Sequence, residues 1–323
     1  MGGRRAQPVL SHFVALGTPL LAAGFIPDSR TLTPEDQQGP NFMKQFATIT
    51  VIGRDKTGVI ARITHALFQE GANIEALEEQ VTRGEFSMIL QASWERTLNH
   101  REVEGRLVTV GKALGMEVTI HWTDPNRPQR MGIMVTREGH CLEAILQQVR
   151  ARKLRVEPVV IISNRRELEP VAKKFKLPFE FVSWDGDRAK AEMRAVEILR
   201  GHAADFVVLA RFMKILSPNF VWRYKNKIIN VHPSLLPSFP GPQAYRQAYE
   251  HGVKIVGVTS HFVSMHLDEG PIIAQECFYV RPGMTLKQIV EAGQALESKV
   301  LVRALKLFLA KKLDVYWGVV KEV

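Results

Sequence analysis

Cysteine is scarce in this chain, with Cys141 and Cys277 the two among 323 residues. Two thiols supply neither a disulfide framework nor a cysteine-rich zinc site, and they fit a reducing, cytoplasmic compartment. Aromatic residues are also few, at 8%. None interleaves as a platform with the basic clusters at 150–155 and 173–176, so those clusters read as solvated helix faces and no nucleic-acid partner is expected. Acidic residues run short of basic ones, 33 against 43, which leaves a formal charge of +10. That surplus attracts anions such as phosphorylated or polycarboxylate ligands. A long apolar run is missing too. The stretch 13–26 is shorter than the roughly 20 residues needed to cross a bilayer, and Pro19 interrupts it. No later stretch resembles a span, so no membrane partner is expected. What is present, 46% hydrophobic and 24% charged residues, is the balance of a folded globular protein, and the length suggests two domains.

Residues 1–42 read as an extension. Three interpretations stand: a dispensable segment ahead of a natural start at Met43, a targeting segment with Arg4 and Arg5 before an apolar run, or a packed element. From 43 to 121 the pattern is regular. A β-branched alternation at 46–52 predicts a strand, and the turn 53–58 follows. Val59, Ile60, Ile63, Ala66 and Leu67 then recur at helical spacing, and Gly71 closes that helix. Strands are predicted at 74–81 and 86–94, a helix at 101–114 ending at Gly115, and a last strand at 118–122. Strand, helix, strand, strand, helix, strand is the ferredoxin-like α+β plan. The turn from Asp55 to Gly58, the helix after it, and Asn73-Ile74 together resemble the ACT domain. That resemblance implies a small-molecule sensor. It makes Asp55, Gly58, Asn73 and Ile74 candidate positions for an amino-acid effector, and a homodimer or homotetramer the expected assembly. Read without it, Gly58 permits a tight turn and Asp55 caps the helix.

Residues 122–130 carry Pro125 and Pro128 and read as a linker. From 131 to 323 short apolar runs alternate with helical patterns. Strands are predicted at 131–136, 156–162, 179–182, 206–210 and 228–231, with amphipathic helices at 139–152 and 188–200. Two later strands follow at 254–263 and 271–280, then a long helix at 286–312 and a final strand at 314–320. This predicts a doubly wound, mostly parallel α/β domain, whose ligands bind beyond the carboxyl ends of the strands.

The residues ending the strand at 228–231 carry the chemistry. Asn230 and His232 sit two apart, so their side chains leave one face of the strand. Pro233 and Pro237 then stop it. An amide stabilises an oxyanion, and an imidazole exchanges protons near neutral pH. Farther on, Asp268 in a polar loop is placed to orient that imidazole, or else it only opens a turn. His232, His261, His266 and Asp268 lack recognised ligand spacing, so no metal is expected.

The stretches 209–216, 230–237 and 268–273 resemble the folate-dependent formyltransferase family, over roughly 131–320. The resemblance implies Asn230, His232 and Asp268 as catalytic residues. It implies a folate pocket formed by Met213, Lys214, Ile215, Leu216, Gly270, Pro271 and Ile272, with His261 as a secondary candidate. It also implies 10-formyltetrahydrofolate as substrate and no tightly bound cofactor. The formyl group goes to water or to a phosphorylated amine. Transferring members cradle that phosphate in a glycine-rich loop after the first strand. Here the matching positions hold one glycine, Gly139, with Glu138 beside it, and His140-Cys141-Leu142 looks like the hydrolysing branch. His232-Pro233 is transferase-like, and the hairpin at 82–85 is shorter than in most hydrolysing members. Hydrolysis to tetrahydrofolate and formate is the favoured expectation. Transfer to an amine and an inactive folate- or amino-acid-sensing regulator are the alternatives.

Overall fold

The computed structural model describes residues 44–124, 126–316 and 318–323. The three readings of residues 1–42 lie outside the described residues. The first sheet contains β1 (Gln45–Arg54), β2 (Asn73–Thr82), β3 (Glu85–Trp94) and β4 (Met116–Trp122) in the order β2-β3-β1-β4, and its neighbouring strands run antiparallel. Helices α1 (Val59–Gln69) and α2 (His100–Leu114) pack Ile63, Leu67, Val103 and Leu107 against Ile49, Val51, Met88 and Leu90. This is the predicted ferredoxin-like order. Its edge is the long strand β2, whose residues are mostly exposed. The α1 cap is Gly58, in the left-handed region at φ 88°, with no side-chain cap; Asp55 instead ties its backbone N–H to the Gly84 carbonyl at 2.9 Å.

The second sheet holds seven strands: β5 (Gln129–Val135), β6 (Val156–Ser163), β7 (Phe179–Phe181), β8 (Phe206–Leu209), β9 (Ile228–His232), β10 (Ile255–Phe262) and β11 (Ile272–Tyr279). Their order is β11-β10-β9-β8-β5-β6-β7. The pairs from β7 to β9 are parallel, and β10 and β11 are added antiparallel. The chain starts in the middle at β5, goes outward to β6 and β7, and returns to β8 on the other side. The crevice between β5 and β8 is therefore the switch point of the sheet. Helices α3 (His140–Arg150) and α8 (Leu286–Leu309) bury Ile145, Leu146, Val300, Leu301 and Leu305 in one core, and α5 (Arg188–Gly201) buries Ala195, Val196 and Leu199 in the other. The short helices α4 (Glu169–Lys174), α6 (Pro218–Arg223) and α7 (Ala244–Glu250) are divided: Ala172 joins the first core, Phe220 the second, and Tyr245 and Ala248 a smaller cluster with Val256. They have six, six and seven residues, too few turns to print a helical period on the sequence.

Two expectations need correction. The single strand expected at 314–320 is a hairpin, β12 (Leu313–Tyr316) and β13 (Val319–Glu322), because Gly318 takes φ 74° and reverses the chain. The linker 122–130 is shorter than expected, since Trp122 ends β4 and Gln129 begins β5. The candidate effector positions are distributed over both ends of the first sheet. Asp55 meets Gly84 at one end of β3, whereas Asn73 pairs with Ser93 at the other. Nine residues of strand separate them, on the order of 30 Å.

The two sheets are joined by charge. Arg223, at the end of α6, donates to Glu117 of β4 at 2.7 and 2.6 Å, and Arg200 of α5 pairs with the same carboxylate. His121 lies 2.6 Å from Asp205, which also accepts from Arg127 at 2.8 Å and from the Arg130 backbone at 2.6 Å. Burial raises the Asp205 pKa, but the hydrogen bonds from His121 and Arg130 outweigh it and hold the carboxyl below its ordinary range. Among the described residues, no helix is long and apolar enough to cross a membrane.

Candidate active site

Strand β9 delivers Asn230 and His232 to one cavity of about 600 Å³, and β10 runs antiparallel beside it, so that His261 faces Asn230 in register. Between Ser260 and His261 the pairing with β11 shifts by one residue, leaving Ile273 of β11 unpaired. The loop after β10 brings Asp268 back to the same spot, with its backbone in the left-handed region at φ 57°. Asp tolerates that conformation better than most residues.

His232 is buried and both its ring nitrogens are engaged. Nε2 donates to the Phe239 carbonyl at 3.0 Å, and Nδ1 lies 3.3 Å from Asp268 Oδ2. The carbonyl partner fixes the proton on Nε2, and Asp268 flanks the other ring nitrogen and holds the orientation of the ring. Asp268 Oδ2 also accepts the Gly241 backbone N–H at 2.9 Å. His261 is the opposite case. Its Nδ1 donates to the Phe262 carbonyl at 2.9 Å, and its Nε2 accepts from Asn230 Nδ2 at 3.2 Å. Burial pulls the His261 pKa down and keeps the ring neutral, which agrees with an accepting Nε2. The neutral ring makes the 3.9 Å approach of Nε2 to Asp268 Oδ1 a weak contact rather than an ion pair.

Met213, Lys214, Ile215 and Leu216 line the same cavity. The Met213 backbone N–H donates to Thr136 Oγ1 at 3.0 Å, which pins this segment to the end of β5. Met213 and Ile215 are more than half exposed, an apolar surface open to a flat ligand. Gly270, Pro271 and Ile272 do not line the cavity. They brace it from behind: the Pro271 carbonyl accepts from the Phe262 backbone, Ile272 pairs with His261, and a Cβ on Gly270 would collide with the Phe262 carbonyl oxygen.

A second group at this cavity went unread in the sequence. Glu297 of α8 is fully buried and accepts from Tyr245 at 2.7 Å, with His140 Nε2 at 2.8 Å and Arg211 Nε at 3.3 Å. Burial raises the Glu297 pKa, but His140, the Arg211 charge and Tyr245 together hold it below its ordinary range. One signal was available. Gly293, Glu297, Val300, Leu301 and Ala304 recur on the buried face of α8, and a carboxylate in that series calls for partners. His140, Cys141 and Glu297 stand close enough together to share a cation. Arg211 already supplies positive charge there, and burial, then the charge of Glu297, pushes the Cys141 thiol up and away from the thiolate.

Two family models match the chain, ACT domain over residues 45–121 and formyl transferase over 129–305. The class is thus an ACT domain joined to a formyl transferase domain. A formyltetrahydrofolate deformylase of Escherichia coli is 37% identical over 273 residues, covering 84% of this chain and 96% of its own length. That of Bacillus subtilis is 33% identical over 265 residues, 81% of this chain and 88% of its own. The crystal structure of a formyltetrahydrofolate deformylase from Pseudomonas syringae superposes with a TM-score of 0.60 at 28% identity, over 89% of this chain and 96% of that one. Glycinamide ribonucleotide transformylase 1 from Symbiobacterium toebii gives 0.59 at 31% identity, over 63% of this chain and 97% of that one. The chain belongs to the formyltetrahydrofolate deformylase family.

Proposed function

We propose that this chain hydrolyses 10-formyltetrahydrofolate to tetrahydrofolate and formate, with Asn230, His232 and Asp268 as the catalytic residues. The observation that carries the assignment of residues is their meeting in one cavity, 3.3 Å between His232 and Asp268 and with Asn230 on the same face of β9. The pterin lies against the apolar surface of Met213 and Ile215. The formyl group sits between Asn230 and the Nδ1 side of His232. Asp268 uses Oδ2 for His232 and Gly241, and Oδ1 accepts a hydrogen from the attacking water. Water adds to the formyl carbon, and the Asn230 amide and the His232 imidazole stabilise the oxyanion. The carbon–nitrogen bond then breaks as a proton reaches the departing nitrogen from His232 or through water. His261 touches no reacting atom in this scheme. It holds the Asn230 amide in place.

The ACT domain fits a small-molecule sensor, with an amino acid as the effector class and its exposed edge strand as the surface for a homodimer or homotetramer. No tightly bound cofactor is required by the chemistry, and a cytoplasmic setting suits a folate substrate and two free thiols.

The test is formate release from 10-formyltetrahydrofolate with and without a phosphorylated amine acceptor. Formate at the same rate in both supports hydrolysis. Folate release that depends on the amine means a transferase, and no product with folate binding intact means a regulator.

A further inference from the structure

Open α/β sheets take ligands in the crevice where the strand order reverses. In this sheet that crevice lies between β5 and β8, and the chain fills it with its own charges. Arg211 follows β8, with a side chain 12% exposed that lines the cavity. Glu138 follows β5 and lines it as well, with Oε2 buried and without a hydrogen-bond partner. Behind them Glu297 of α8 pairs with Arg211 by charge, Nε lying 3.3 Å from Oε2 without a hydrogen bond, and His140 and Tyr245 contact the same carboxylate. The reacting residues, Asn230 and His232 on β9 and Asp268 in the loop after β10, lie to one side of this plug.

Three features mark the plug as more than filler. Arg211 adopts φ 63°, a conformation that is unfavourable for a side chain other than glycine and persists where surrounding structure imposes it. A fully buried carboxylate is expensive, and apolar packing of the same volume is often as stable or more so. Room has been cleared for it as well: a Cβ on Gly293 would collide with the Tyr245 ring, so glycine at that turn of α8 is what lets Tyr245 reach Glu297. The first turn of α3 would otherwise favour an anion. Here Glu138 and Glu297 stand beside it, so a phosphorylated molecule entering the crevice meets like charge.

We propose that Arg211, pinned by Glu297, is the specificity-determining residue of this site: it closes the switch-point crevice to amine acceptors and leaves water as the only nucleophile that reaches the formyl carbon. This rests on the hydrolase reading above. Removal of the plug admits a primary amine. Its nitrogen bonds to the formyl carbon, the bond from that carbon to the folate nitrogen breaks, and the proton lost by the amine passes to the departing folate nitrogen. The products are a formamide and tetrahydrofolate in place of formate and tetrahydrofolate.

The experiment measures how the formyl group partitions between water and glycinamide, a small amine without a phosphate, so that the readout reports space alone. Arg211→Gly suits the backbone at that position, Glu297→Gln keeps the shape but releases the guanidinium, and Arg211→Lys retains a cation. Formate release by the wild-type protein without amine tests the hydrolase reading by itself. Given that release, the wild type yields formate only. Arg211→Gly yields at least tenfold more N-formylglycinamide per formate than the wild type, Glu297→Gln moves the same way, and Arg211→Lys stays with the wild type. If Arg211→Gly does not fold, Glu297→Gln decides. A folded, folate-binding variant with the wild-type partition, or with no product from either acceptor, overturns the proposal.

Discussion

His261 stands opposite Asn230 in the pairing of β10 with β9 and accepts a hydrogen bond from its amide at 3.2 Å. One amide proton is thus tied up, and the carboxamide cannot rotate freely. An oxyanion donor held in place before the reaction contributes most when nothing must reorganise as charge develops. Neutrality of the buried ring is part of this arrangement, because a protonated Nε2 would confront Asn230 with a second donor.

His261→Phe removes the acceptor and His261→Gln supplies another. The Phe variant is expected to lose about tenfold in kcat, the equivalent of about 1.4 kcal/mol from one hydrogen bond, and the Gln variant to recover most of it. The pH profile separates positioning from packing. The His261 pKa is depressed below 6.5, so activity holds above that value and falls as pH drops through the lower one. In the Gln variant the acid limb moves to lower pH. Wild-type kcat in the Phe variant, or an unmoved limb in the Gln variant, contradicts the role.

Gly270→Ala tests the brace behind the cavity. The added methyl meets the Phe262 carbonyl, which is strand backbone and cannot yield cheaply. Overpacking of this kind costs about 1–3 kcal/mol, and here it also moves the loop that carries Asp268. A lowered Tm together with a kcat reduced more than folate affinity is expected; kinetics and melting checked on one preparation decide it.

The junction between the sheets is acid-sensitive with a defined sign. Burial raises the Glu117 pKa, but the hydrogen bond and charge of Arg223, and then those of Arg200, lower it further, so the folded value lies below 4.5. Asp205 lies below its ordinary 3.8. Depressed carboxylates stabilise the fold fully above their unfolded values and lose that contribution as pH falls through the folded ones. Glu117→Gln therefore melts lower than the wild type at pH 7, by about 1–2 kcal/mol after allowance for solvent at this half-exposed site. The gap closes towards pH 3. Differential scanning calorimetry at the two pH values reads it, and a gap independent of pH speaks against the ion pairs.

Local pattern accounts for what was legible in the sequence. The order in the first sheet followed from alternation and from glycines at 71, 84 and 115, each of which takes a positive φ in the structure. Asn230 and His232 were legible because a strand has a period of two. Asp268 was legible because the stretch around it resembles a known family. The register that sets His261 against Asn230 was not, because cross-strand pairing is fixed by tertiary contacts between segments 31 residues apart. Tyr245 and His140 reach Glu297 from 52 and 157 residues away, and no local spacing announces such a meeting. The separation of Asp55 from Asn73 was equally hidden, since adjacency in a motif says nothing of which end of a strand each residue occupies.

Single-turnover hydrolysis by Asn230→Ala, measured beside folate binding, bears most directly on the central claim. Loss of one oxyanion donor costs on the order of 3 kcal/mol, a rate reduction of about a hundredfold or more. The account predicts that reduction with folate still bound. Turnover at the wild-type rate in a folded variant would contradict it.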